Sequence, residues 1–208
     1  MRTASEFNEY YSKPDPWGIS RAWYRDNALR RCIAPLIDGR AVFELGCGEG
    51  HLTETVFCGA RSVMGVDISQ LAIDRARARN LPCASFVVAD FLDVSLAGFD
   101  VITAIECLYY LADSEQDLLL AKLAREHRGP FILSCPIVGD TQHGRYFTHD
   151  GLMARLAAHG EFHNVSLYRP DGFSRIAAGL FVRLPGSHLA LDFLPSRLIY
   201  QRLYIGKC

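Results

Sequence analysis

Residues 44–50 read Glu44-Leu45-Gly46-Cys47-Gly48-Glu49-Gly50, three glycines at alternate positions behind a short apolar run. Glycine lets the backbone turn sharply and lets a ligand come close to it. The run Ala41–Leu45 predicts a buried strand and His51–Phe57 a helix, so the turn ends a strand and opens a helix whose first N–H groups are free. Such a turn suits a nucleotide-like cofactor at the carboxyl ends of parallel strands. Asp67 closes a second predicted strand, Ser62–Asp67, about 20 residues further on, where a carboxylate accepts hydrogen bonds from ribose hydroxyls. Two cofactor classes share this pattern, dinucleotides and S-adenosylmethionine. Glu44 favours the second: a carboxylate beside the turn repels a pyrophosphate and suits an ammonium and a sulfonium.

Further acids follow at strand ends. Asp90 closes a third predicted strand, Ala84–Ala89, where it would accept from an adenine amino group with Phe91 packed on the ring. Glu106 closes a fourth, Asp100–Ile105, and is followed by the aromatic pair Tyr109 and Tyr110. Glu106 is the first candidate for acceptor binding or proton removal, with cofactor fixing or turn capping as the plainer alternative. Tyr109 and Tyr110 share its loop, one expected to face the pocket and the other to pack in the core. His143, Tyr146 and His149 lie after a fifth predicted strand, Pro130–Cys135, at the expected pocket mouth, where a histidine takes a proton at neutral pH. Tyr11 and Trp17 are candidates for lining the pocket from an N-terminal cap, or for packing that cap on the sheet. Cys47 reads as a small residue that fits the turn. The remaining histidines have no metal-ligand spacing, so no metal is expected.

These residues need a scaffold that brings strand ends to one rim. A helix is expected over Ile19–Leu36, another from an N-cap at Ser69 to Arg79, and two more over Gln116–Glu126 and Leu152–His159. Strands and helices alternate, and the strands are short and apolar. That is the pattern of an α/β, Rossmann-like, doubly wound and mostly parallel sheet with helices on both faces. After Gly160 the rhythm changes. Phe162–Tyr168 and Leu198–Ile205 both read as strands, which predicts an antiparallel edge hairpin and a seven-stranded sheet. One domain over 1–208 is expected, with a helical cap over 1–40 and an apolar insertion over 171–196 that would act as an acceptor lid, a dimer contact or a membrane-surface patch.

Composition narrows the classes. The 208 residues carry 22 Lys/Arg against 23 Asp/Glu, without a basic block, which argues against a nucleic-acid partner. Arg75, Arg77 and Arg79 are expected to splay over a solvated helix face. Seven cysteines without a CxxC pair predict reduced thiols in a cytoplasmic protein. The polar first eleven residues do not read as a signal peptide, and no stretch of about 18 apolar residues predicts a membrane span.

As an ordered set, Glu44–Gly50, Asp67, Asp90 and Phe99–Glu106 resemble the motifs of the class I S-adenosylmethionine-dependent methyltransferases, over about Val42 to Cys135. The resemblance implies that Glu44 and Gly46 lie beside the methionine portion of the cofactor, with Cys47, Gly48 and Glu106 among the cofactor-binding residues. It implies that Asp67 holds the ribose and Asp90 the adenine, with Ile68 and Phe91 sandwiching the base. Asp15-Pro16-Trp17, Trp23-Tyr24-Arg25 and Tyr109-Tyr110-Leu111 are similar to rhizobial nodulation protein S-like N-methyltransferases, which methylate the free amine of a chitooligosaccharide. The expected activity is therefore methyl transfer to a small-molecule or oligosaccharide acceptor, at an amine. O-methylation of a sugar or phenol, and a non-catalytic S-adenosylmethionine-binding subunit, are the alternatives. A monomer or homodimer is expected. A nicotinamide-dependent reductase is disfavoured by Glu44 and by the lack of a Tyr-x-x-x-Lys arrangement.

Overall fold

The structure is a computed structural model that describes residues 3–21, 23–139, 147–168 and 199–208. Helix α1 spans Ala4–Tyr10, and a 3-10 turn at Ile19–Arg21 leads into α2, Trp23–Ile37. Then come β1 (Ala41–Leu45), α3 (His51–Thr55), β2 (Ser62–Asp67), α4 (Gln70–Ala78), β3 (Ala84–Val88) and β4 (Val101–Ile105). A 3-10 turn at Leu108–Tyr110 is followed by α5 (Asp113–Glu126), β5 (Phe131–Ser134), α6 (His149–Ala157), β6 (Glu161–Tyr168) and β7 (Ile199–Lys207).

The seven strands form one sheet in the order β3-β2-β1-β4-β5-β7-β6. The first five pair in parallel, and β7 runs antiparallel to both β5 and β6, as the late change of rhythm predicts. Strand order reverses between β1 and β4. Open α/β sheets bind ligands beyond the carboxyl ends of the strands at such a reversal.

Alternation along each strand divides the core between two faces. Phe43, Leu45, Ile102, Ala104, Phe131 and Leu133 pack with Leu119, Leu120, Leu123 and Leu156 of α5 and α6. Val42, Val101, Ile105 and Ile132 pack on the other face with Leu29, Ile33 and Ile37 of α2. Leu203 and Ile205 of β7 join this second cluster, while Tyr204 between them joins the first. The β7 register against β5 is thus pinned by burial on both sides.

Local capping agrees with the sequence. Thr3 and Glu6 form a reciprocal capping box at the start of α1. Ser69 accepts from Ala72 N at 3.2 Å as the N-cap of α4. Thr148 accepts from Gly151 N at 3.1 Å and caps α6.

One expectation needs correction. The apolar run of β3 reads as a buried strand, but β3 is the sheet edge, and Val87 and Val88 are exposed at 41% and 37%. Phe86 alone of that strand is buried, turned inward against Ile73 and Ala76 of α4. Among the described residues no helix is long and apolar enough to cross a membrane. His143, Tyr146 and the 171–196 insertion lie outside the described residues.

Candidate cofactor and acceptor site

The glycine turn is fastened to the end of β2. The N–H groups of Gly46 and Cys47 both donate to the carbonyl of Val66, at 2.8 and 3.0 Å. Gly46, Gly48 and Gly50 all sit at positive φ, 70°, 53° and 75°, where a side chain is strained. Space is closed as well. A Cβ on Gly46 would lie 2.7 Å from Cys107 Cβ and 3.2 Å from Phe91 Cζ, and one on Gly48 would lie 2.7 Å from Tyr11 Oη. Phe91, Cys107 and Tyr11 therefore converge on the turn from three separate segments.

Asp67 is buried, and each of its oxygens takes one backbone N–H: Oδ2 from Gly48 at 3.0 Å and Oδ1 from Ser69 at 2.9 Å. Burial pushes its pKa up, against the lowering effect of hydrogen bonds from the N–H groups of Ser69, Gly48 and Ile68. A carboxylate offers about four lone-pair sites, so acceptor capacity remains for a ligand hydroxyl. Asp90 accepts from Leu92 N at 2.9 Å through Oδ1 and is half-buried, as is Phe91. Ile68 packs beside Tyr11, Phe7 and Tyr110.

Glu44 lies inward of the turn, almost wholly buried on β1, and accepts from Thr53 Oγ1 at 2.5 Å. Burial pushes its pKa up to about 8, the Thr53 hydroxyl pulling it down and Asp67 adding to the rise. At that value Glu44 holds its proton near neutral pH, and a cationic ligand beside it would favour the charged form. Cys47 is buried with its thiol pushed well up by desolvation, which leaves it a packing residue.

The N-terminal segment closes over this turn. Asn8 Oδ1 accepts from Ser69 Oγ at 2.7 Å, tying α1 to the start of α4. Tyr11 is 6% exposed, and burial raises its hydroxyl pKa far above the usual value, so it stays a protonated donor. Phe7 meets Tyr110 edge-on with ring centroids 5.0 Å apart. Trp17 stacks on Tyr10 at 6.0 Å and remains 42% exposed, on the outer side of the cap.

Of the three arginines expected on a solvated helix face, Arg77 is exposed, while Arg75 and Arg79 are half-buried. Arg75 Nη1 donates to Glu49 Oε1 at 2.6 Å, and Arg79 reaches the Glu49 carbonyl, Glu54 and His51. Arg77 donates to the Phe86 carbonyl at 2.8 Å. Long side chains fold back along their apolar stems to buried acceptors, which helical periodicity alone does not reveal. Glu49, only 5% exposed, also accepts from Asp15 N at 2.9 Å and faces His51 Nε2 at 3.2 Å.

At the carboxyl end of β4 stands Glu106. Its φ of 56° is unusual for a residue with a side chain and marks a position held by its surroundings. Glu106 N donates to the Ser134 carbonyl at 3.0 Å, and Glu106 Oε1 accepts from Ser134 Oγ at 2.7 Å and Gln201 Nε2 at 3.3 Å. Ser134 and Gln201, which the sequence reading did not single out, are hydrogen-bond partners of Glu106. Their one signal was a polar side chain within the apolar strands Phe131–Ser134 and Ile199–Lys207. Tyr109 and Tyr110 follow Glu106, both half-buried with hydroxyls 3.4 Å apart. Burial raises the Tyr109 pKa far above its usual value, so its hydroxyl stays protonated and donates to that of Tyr110. His149 opens α6, with Nδ1 3.1 Å from the hydroxyl of buried Tyr204.

The donor set fits S-adenosylmethionine. Positive-φ glycines leave a cradle that a Cβ would fill, Asp67 has acceptor capacity left, and Phe91 and Ile68 supply apolar surface beside Asp90. Among the described residues no group of three His, Cys, Asp or Glu side chains converges to hold a metal.

A family profile described as a methyltransferase domain matches residues 42–128. Nodulation protein S of Azorhizobium caulinodans is 32% identical over 107 residues, 49% of this chain and 52% of that protein. The chain spans about half the length of the curated relatives it matches. Among solved structures, a chain of the complex between the Haloferax volcanii Trm112 methyltransferase activator and a methyltransferase superposes with a TM-score of 0.71 at 21% identity, covering 100% of this chain and 98% of that one. The N-methyltransferase NodS of Bradyrhizobium japonicum with S-adenosyl-L-homocysteine gives 0.66 at 19%, over 100% and 98%. These two likenesses concern the fold, and the ordered motifs add the sequence argument. Residues 42–128 match a methyltransferase-domain profile, and the seven-stranded sheet has the strand order and mixed edge of the class I S-adenosylmethionine-dependent methyltransferase fold.

Proposed function

We propose that this protein transfers a methyl group from S-adenosylmethionine to an amine nitrogen of a small-molecule or saccharide acceptor. The observation that carries the cofactor half is the cradle in which Asp67 holds Gly48 N and Ser69 N while Gly46 and Gly48 face Cys107, Phe91 and Tyr11. Asp67 would take the ribose hydroxyls, Asp90 the adenine amino group, and Ile68 and Phe91 the faces of the base. Bound S-adenosylmethionine supplies an electrophilic methyl on a cationic sulfur, which leaves as a neutral thioether.

The chain's own contribution is positioning, exclusion of water and removal of a proton. Tyr11 and α1 cover the glycine turn, and buried Cys107 seals its side towards β4. Glu106 is the next residue along from that seal, so its carboxylate stands at the boundary between cofactor and acceptor. An amine nucleophile must be neutral when it attacks, and the Glu106 carboxylate is placed to take the proton. The likeness to nodulation protein S and to the NodS fold supports an amine acceptor.

The test is methyl transfer from radiolabelled S-adenosylmethionine to D-glucosamine and benzylamine, run beside their hydroxyl counterparts D-glucose and benzyl alcohol. Labelled amine product is expected. Glu106→Gln should lower turnover by about 10²–10⁴-fold, the usual contribution of a general base. Label on the alcohols alone would replace N-methylation with O-methylation.

A further inference from the structure

Gln201 is 3% exposed at the rim-side end of β7. In the antiparallel register Leu203 pairs with Ser134, the last residue of β5, so Gln201 lies beyond the carboxyl end of that strand. Its orientation is fixed by chemistry. The Nε2 group donates to Ser134 Oγ at 2.9 Å and to Glu106 Oε1 at 3.3 Å, and a carboxylate accepts only from the nitrogen side of an amide. Both amide hydrogens are thus spent inward. The carbonyl Oε1 is then left over, and among the described residues it is the one buried side-chain polar atom without a hydrogen-bond partner. A buried carbonyl is rarely left unpaired, and each exception calls for a reason.

We propose that Gln201 Oε1 is a recognition element for the acceptor, taking one N–H of a primary amine while the Glu106 carboxylate takes the second. This rests on the methyltransferase reading above and deepens it. Two acceptors stand on one amide–carboxylate unit, and an amine carrying two N–H bonds engages both and keeps its lone pair free to point at the methyl. A hydroxyl has one hydrogen and engages only one of them. The unit is built to hold its shape: Glu106 keeps its positive-φ backbone through the Ser134 carbonyl, and Ser134 Oγ both accepts from Gln201 and donates to Glu106. Gln201 therefore selects for nitrogen over oxygen from a strand 95 residues away in sequence from Glu106.

The experiment uses the full chain loaded with S-adenosylhomocysteine and reads the glutamine side-chain amide signals by proton–nitrogen NMR. The Gln201 signal is identified by its loss in Gln201→Met. D-glucosamine and benzylamine are titrated against D-glucose and benzyl alcohol. The amines should move the Gln201 signal, and the alcohols should need at least about tenfold higher concentration, the worth of one buried hydrogen bond. Gln201→Met should weaken amine binding by a similar factor with the affinity for S-adenosylhomocysteine kept. Equal response to amines and alcohols, no movement of the Gln201 signal, or native amine affinity in Gln201→Met overturns the proposal while leaving the cofactor reading intact. Failure of S-adenosylhomocysteine to bind the native protein takes both down.

Discussion

The hydroxyl of Tyr11 lies 2.7 Å from the point where a Cβ on Gly48 would stand. The N-terminal cap and the glycine turn therefore share one volume, and neither is shaped without the other. Gly48→Ala must place a side chain at φ 53°, at a cost of about 1–2 kcal/mol, and must also push Tyr11 aside. The substitution should lower thermal stability and weaken S-adenosylhomocysteine binding. Because the two residues compete for the same space, Tyr11→Ala should absorb part of the Gly48→Ala penalty. A double-mutant cycle on unfolding free energy should show a coupling within the range of ~0.5–3 kcal/mol typical of contacting pairs. Strict additivity would mean that the cap does not rest on the turn.

Glu49 ties the cap down through its carboxylate, which serves Asp15 N, Arg75 and His51 together. Arg75→Met keeps the apolar stem and removes the charge partner of a carboxylate that is 5% exposed. Breaking a buried pair costs several kcal/mol, but Arg75 is 31% exposed, so the expected loss is nearer to about 1–2 kcal/mol. The same change should speed proteolytic cleavage within residues 12–21, the segment that Asp15 anchors. Cleavage at the native rate would show that the Glu49 cluster does not hold the cap.

Glu44 predicts a pH dependence with a definite sign. Burial pushes its pKa in the folded protein up to about 8, above the ordinary carboxylate value of 4.5. Between those two values the folded state binds more protons than the unfolded one. Stability from this group is full below about pH 4.5 and is lost as pH rises through 8, a loss on the order of a few kcal/mol. Glu44→Gln has no proton to lose. Its melting temperature should fall less between about pH 6 and about pH 9 than that of the native protein. Parallel melting curves would place the titration elsewhere.

The glycine turn and Asp67 were legible in the sequence because their signal is local: a strand, a turn that only glycine fits, and an acid at the next strand end. Strand existence was legible for the same reason, and the antiparallel β6–β7 hairpin from the late change of rhythm. The edge position of β3 was not, since Phe86-Val87-Val88 is equally apolar in the middle of a sheet or at its margin, and only the strand order decides. The hydrogen-bond partners of Arg75 and Arg77 were not legible for a different reason. Helical spacing gives the direction of a Cβ and says nothing of where a long flexible stem carries its guanidinium, here back to Glu49 and Phe86. The Glu106–Ser134–Gln201 unit was half visible. Glu106 stood out as an acid at a strand end, but Ser134 and Gln201 become its partners only through a sheet register set by burial of Leu203, Tyr204 and Ile205.

The central claim is the cofactor, and isothermal titration with S-adenosylhomocysteine, with NADH in parallel, tests it most directly. The native protein should bind S-adenosylhomocysteine and not NADH. Asp67→Ala should weaken that binding by at least about tenfold, since each charge-assisted hydrogen bond lost is worth ~1.5–3 kcal/mol. Binding of NADH in place of S-adenosylhomocysteine, or native affinity in Asp67→Ala, would contradict the account.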